Sequence, residues 1–357
     1  MSLHPETEFF PENSVSSPTV SSPAQRETEF SRKNSVSRRI AFALIVAAIM
    51  VVFSEKLYWY VTGYGVVDLL LGYFFPTYVL LWLIDAFRVR RIGPLFLAAA
   101  VFGFLTEGVL VGTLYEGGPL GWFNVSYTSL AWHAPLSVLF GWWWLGRRLA
   151  AGSLRGLAAA CAGVGLLWGL WALAWWLPEN AADPALLAQG ARLGPWPVGD
   201  FALHAFAFTT LLAAAHWLLG RGAALPAFRP SAAEALLVMG GLLFFYVGVL
   251  VAVPWAPLKL LPLLALALGG LWRNRRRATP GSTLAEGRGP ARPAALLALF
   301  AMPAAAVAVY ALAAALQPPV AYIYAVTAGG LVLGLGVFGW VAFGAALVDA
   351  ARNRVFS

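Results

Sequence analysis

The chain has one cysteine in 357 residues, Cys161, and it lies inside an apolar run. A single thiol cannot form a disulfide or a cysteine-based metal site within one chain, so redox chemistry gets no support. Charge is scarce too. Only 11% of residues are Asp, Glu, Lys or Arg, where a soluble domain carries about a quarter, and that shortage excludes a water-soluble globular fold. The sequence also lacks HExxH, a Walker loop, GxSxG and paired cysteines, so no familiar signature marks a metalloprotease, a nucleotide site or a nucleophile elbow. No cofactor and no metal site is expected. Glycines are plentiful, but Gly329, Gly330, Gly334 and Gly336 fall in an apolar run, where close helix packing explains them better than phosphate binding does.

What remains is apolar: 60% of residues are hydrophobic and the mean hydropathy is +0.74. Stretches of about twenty apolar residues recur along the chain, each long enough as a helix to cross roughly 30 Å of hydrocarbon. They lack the alternation of a transmembrane barrel, so the expected class is an all-α polytopic membrane protein. Ten spans are read: Ile40–Tyr60, Val66–Phe87, Gly93–Tyr115, Ser129–Gly146, Gly156–Leu177, Gly199–Leu219, Glu234–Val253, Leu258–Trp272, Pro293–Ala315 and Val320–Val348. The eighth is short and contains Pro262, which raises a break or a re-entrant turn as options. The last is long enough to tilt or to begin along the interface.

Orientation follows from Lys and Arg, because basic loops are retained in the cytoplasm. All but three of the 24 basic residues precede span one, end the chain or fall in alternate loops; the exceptions are Lys56, Arg192 and Lys259. Both termini are therefore expected to be cytoplasmic, and the expected residence is a bacterial cytoplasmic membrane. The formal charge of +8 is then a topology signal and no nucleic-acid partner is implied. The expected partners are the lipid bilayer and a small-molecule or lipid ligand. This topology is testable by single cysteines at Ser35, Gly118 and Ala285 in a Cys161→Ala background. An impermeant thiol reagent should label only position 118 in intact cells, and labelling at the other two would end the model.

The expected organisation is a disordered tail over 1–38, a five-helix half over 39–177, an extracytoplasmic loop over 178–198 and a second five-helix half over 199–351 with a cytoplasmic linker at 273–292. Five spans per half give the halves opposite orientations, which permits an inverted repeat. The tail is polar and the apolar run after it is of full length, so a cleaved signal peptide is not expected. Within the tail, ETEFFPENSVS at Glu6–Ser16 returns as ETEFSRKNSVS at Glu27–Ser37. A drifted duplication in a Ser/Pro-rich segment accounts for this most simply.

The chemistry-bearing residues are the ionisable groups inside the spans. At 1.5 Å per residue, Glu107 lies roughly 21 Å from the cytoplasmic end of span three, and Glu55 and Lys56 roughly 22–24 Å along span one. His133 and His204 are only about 6–7 Å below the outer ends of spans four and six. A carboxylate in hydrocarbon costs at least about 2.5–3.5 kcal/mol, so Glu107 is expected to face a wet cavity. Asp200 and His204 are one turn apart on the same face, a spacing that lets the carboxylate orient the imidazole. Lys56 has a plain account, snorkelling outward beside Tyr58, Trp59 and Tyr60. The expected site is thus one outward-open cavity bordered by Glu107, His133, His204 and Asp200, with Glu55 and Lys56 at the same level. Nine residues separate Glu107 from Glu116, about 180° around a continuous helix, which assigns Glu116 to the interface instead. Which of these would be catalytic stays open. A carrier of a small molecule or lipid, a membrane enzyme acting on an outer-leaflet lipid or isoprenoid-linked substrate, and an assembly subunit all fit.

Overall fold

The computed structural model describes residues 23–57, 65–118, 121–177, 196–221, 227–284 and 289–352, with side chains from Val36 onward. These residues are mostly helical and contain no strand. The chain divides into two units, Met1–Arg38 and Arg39–Ser357. Ten helices follow one another in the expected order. Helix α1 runs Pro23–Val51 and continues as a wide π turn over Val52–Lys56. It begins upstream of the expected first span, so the second copy of the repeated peptide is helical; the first copy and Tyr58–Tyr60 lie outside the described residues. Helix α2 is Val66–Ala86, α3 is Ile92–Val111, α5 is Leu154–Trp176 and α6 is Val198–Arg221. Helix α4 covers 122–151 and is π-wound from Val125 to Trp144. Helix α7 is Ala232–Ala252, α8 is Ala256–Arg277, α9 is Pro293–Leu316 and α10 is Val320–Ala351.

Among the described residues, nine of these helices are long and apolar enough to cross a membrane. Helix α4 is the tenth; its tryptophans and serines, with His133 and Pro135, make it less apolar. The protein is an all-α polytopic membrane protein. Pro262 sits inside α8 without breaking it, so the eighth span is a continuous helix of 22 residues and not a re-entrant one. Its start, with Pro257 in the first turn, uses the position where a missing N–H leaves no bond unmade.

Helix α3 is the central post: every residue from Gly93 to Leu105 is buried. It packs on α2, α4, α8 and α10, while α5 lies along α9, so helices of the two expected halves interleave. Such contacts need small residues, because apolar side chains gain nothing over lipid unless backbones come close. A Cβ on Gly165 or Gly169 would run into the main chain of Met302 or Ala306 on α9. At Gly103 on α3 a Cβ would lie 2.6 Å from the main-chain oxygen of Ser129 on α4.

One end of the bundle gathers the arginines and their partners. Arg39 on α1 binds Glu234 at the start of α7 through two contacts of 3.0 and 2.6 Å, and Tyr78 of α2 donates to the same carboxylate at 2.7 Å. Glu234 also closes a capping box with Ser231. Arg91 pairs with Asp349 at 3.2 Å, and Asn274 donates to the Phe87 carbonyl at 2.9 Å. His216 holds the Gly141 carbonyl at 2.9 Å. The opposite end carries the intramembrane acids.

Candidate functional site

Besides the π turn of α1, which carries Ser54 and Glu55, two helix irregularities build the site. Helix α3 loosens into a π turn at Thr106–Val111, then stops at Gly112, whose φ of 88° suits glycine. A 3₁₀ turn at Thr113–Tyr115 follows. The chain is therefore no longer a helix where Glu116 stands, and the 180° separation from Glu107 does not apply. Both carboxylates line one cavity of about 170 Å³, which corrects the assignment of Glu116 to the interface. The second irregularity is in α4, where Pro135 cannot donate its i→i−4 bond and the helix is π-wound around it.

Helices α3 and α4 run antiparallel, and their backbones meet at Gly103 and Ser129. Side chains lean toward the N-terminus of their own helix. Glu107, one turn past Gly103, leans back toward that contact, and His133, one turn past Ser129, leans back from the other side. Their side chains meet: Glu107 Oε1 bonds His133 Nε2. Thr113 donates its hydroxyl to Glu107 Oε2. His133 Nδ1 lies 2.8 Å from the Ser54 hydroxyl of α1, and Ser54 lies 2.9 Å from Ser137. With Glu107 ionised, Nε2 of His133 carries the proton, and Nδ1 is left to accept from Ser54. The imidazole is held edge-on by Phe102 and Tyr73, at 5.9 and 6.5 Å between centroids. Trp132 Nε1 donates to the Phe53 carbonyl at 2.9 Å, fastening α4 to the π turn of α1.

Ser54, Glu55, Glu107, Thr113, Glu116 and His133 share the cavity wall with Asn124, Thr128, Val111, Tyr127 and Trp132. Glu55 accepts from Tyr73 at 2.6 Å, and Glu116 accepts from Asn124 at 3.2 Å. Burial raises the Glu116 carboxyl above its ordinary pKa, and the charge on Glu107 raises it further. Lys259 of α8 is not part of the cavity wall; it donates to the carbonyls of Gly118 at 3.3 Å and Gly121 at 2.8 Å, in the segment that follows Glu116.

The expected cavity holds Glu107, His133 and Glu55 but is not lined by His204, Asp200 or Lys56. His204 is buried, binds the Lys56 carbonyl at 2.9 Å and packs against Phe208, Trp196, Trp168 and Trp175. Asp200 lies in the first turn of α6. Lys56 does not snorkel: it is buried, with its ammonium 5.2 Å from the Phe208 ring centre. Equal depth placed these residues at one level, but it says nothing of direction around a helix. Ser54, Tyr73, Thr113 and Ser137 were not foreseen, although Ser54 adjoins the acid Glu55 in an otherwise apolar run. Among the described residues no three His, Cys, Asp or Glu side chains come together in a group able to hold a metal ion. No family model matches this chain, and neither a curated protein nor a solved structure matches it.

Proposed function

We propose that the protein is a membrane-embedded enzyme that acts from one membrane face on a small molecule or lipid, with Glu107 and His133 as its acid–base pair. The observation that carries this reading is a buried carboxylate bonded to a buried imidazole on the wall of a polar cavity. A carboxylate so placed fixes the tautomer of the ring and stabilises the imidazolium that forms when the ring takes a proton. A positioned histidine contributes about 10²–10⁴-fold to rate. A carrier would need its site to open to both faces. The unbroken burial from Gly93 to Leu105, between the pair and the arginine end, supports access from one face. By the distribution of basic residues, that face is the outer one of a cytoplasmic membrane.

Membranes carrying the wild-type chain, Glu107→Gln or His133→Gln should be compared by mass spectrometry of their lipids and small molecules. A species consumed by the wild type should persist at least about 10²-fold longer with either variant. Melting temperatures should stay nearly unchanged, because the amide keeps the volume and can still hydrogen-bond. Wild-type turnover in both variants would remove the acid–base assignment. So would activity lost only in proportion to stability, which would make the pair a structural bond.

A further inference from the structure

The acid–base pair has a third member that no sequence motif announces. Ser54 stands in the π turn of α1, lines the cavity, and places its hydroxyl 2.8 Å from His133 Nδ1 while Nε2 faces Glu107. Hydroxyl, imidazole and carboxylate thus come in series from α1, α4 and α3. We infer that Ser54 is the nucleophile of an acyl-transfer centre in which His133 is the base and Glu107 orients the ring, an inference that rests on the acid–base reading above.

The order of these groups, not their spacing in sequence, is what nucleophilic catalysis requires. No GxSxG is needed, because a widened helical turn, and not a strand-to-helix elbow, turns the buried serine to the cavity wall. The imidazole uses Nδ1 toward serine and Nε2 toward the carboxylate. This arrangement works in either direction, since one nitrogen of a neutral ring accepts while the other donates. Ser137, 2.9 Å away, can donate to Ser54 Oγ, leaving the Ser54 proton directed at the ring.

The cavity also indicates a substrate class. Val111, Tyr127 and Trp132 offer apolar wall for an acyl chain, whereas Glu55, Glu107 and Glu116 oppose an anionic group. The chemistry that fits is a neutral or cationic lipid ester. Ser54 Oγ adds to the ester carbonyl carbon as its proton passes to His133 Nδ1. The C–O bond to the alcohol then breaks, and the alcohol leaves with the proton from His133. Water next adds to the acyl-serine by the same proton transfers, releasing the carboxylic acid and restoring the Ser54 hydroxyl.

The test is covalent capture of the full chain in nanodiscs of neutral phospholipid by an alkyl fluorophosphonate, read by intact mass and peptide mapping. The phosphorus–oxygen bond forms at Ser54 as fluoride leaves and the proton passes to His133. The wild type should gain one adduct at Ser54. Ser54→Ala should gain none, and His133→Gln should label at least about 10²-fold more slowly. Absence of the adduct while a serine hydrolase in the same nanodiscs is labelled would overturn the inference, as would equal labelling of the wild type and His133→Gln. Should Ser54→Ala fail to fold, Ser54→Cys keeps the shape; since a thiol there could itself react, peptide mapping must find no adduct outside position 54, and wild-type labelling at any other residue would overturn the inference. Membrane turnover separates the two levels. Activity lost in His133→Gln but kept in Ser54→Ala overturns the role of Ser54 alone, whereas activity kept in both overturns the acid–base reading as well.

Discussion

Replacing Glu234 with alanine should destabilise the protein by about 3–5 kcal/mol, the usual cost of leaving one partner of a buried ion pair alone. Glu234 accepts from Arg39 at 3.0 and 2.6 Å and from Tyr78 at 2.7 Å, and it caps the first turn of α7. Both members of the pair are buried, with side-chain exposures of 10% and 7%. The loss therefore strands a guanidinium and removes a helix cap together. Thermal unfolding of purified protein in one detergent would read the effect. The double change Arg39→Met with Glu234→Leu should recover much of the lost stability, because apolar residues of similar volume replace a buried pair at little net cost. A Glu234→Ala protein that melts with the wild type would mean that the carboxylate is solvated and the pair contributes little.

The second large effect is expected at Gly103. An added Cβ would stand 2.6, 3.0 and 3.1 Å from main-chain atoms of Ser129, which cannot rotate away as a side chain could. Gly103→Ala should cost about 1–3 kcal/mol through overpacking. It should also lower turnover by about 10²-fold, because pushing α3 from α4 by even 1 Å misplaces catalytic groups carried on the two helices. Gly163→Ala is the control. Nothing lies within 4 Å of its added Cβ, so the better helix propensity of alanine should leave stability equal or raised by up to about 1 kcal/mol. Equal melting and turnover for both alanine variants would show that α3 and α4 separate freely and that their close approach does not set the site.

The architecture could be read in the sequence because long apolar runs and alternating basic loops follow directly from the cost of exposing backbone or charge to hydrocarbon. The site was only half readable. Glu107 drew notice as a charge in an apolar run, and His133 did so by depth, but depth also recruited His204, and the one-turn spacing to His204 brought in Asp200. What placed Glu116 in the cavity and His204 outside it was the stop at Gly112 and the azimuth of α6, which depend on packing across elements. Ser54 and Thr113 escaped because a hydroxyl inside a membrane helix can bond its own backbone, as Thr106 does with Phe102. Only the three-dimensional neighbours show which hydroxyls are turned to other work.

The tether from Lys259 links two distant parts of the gene. Its amine grips main-chain carbonyls, so the side chains at 118 and 121 play no part in the grip itself. Gly118 is nevertheless restricted by its φ of 74°, and a Cβ on Gly121 would meet the Glu116 carbonyl at 2.5 Å. The turn thus holds its glycines for conformational reasons, while α8 holds its lysine for electrostatic ones. Inheritance would act on the two as a unit: once the lysine is gone, the carbonyls lose their donor and the tight turn loses one reason to persist, and a relaxed turn in its place would leave a buried ammonium without acceptors.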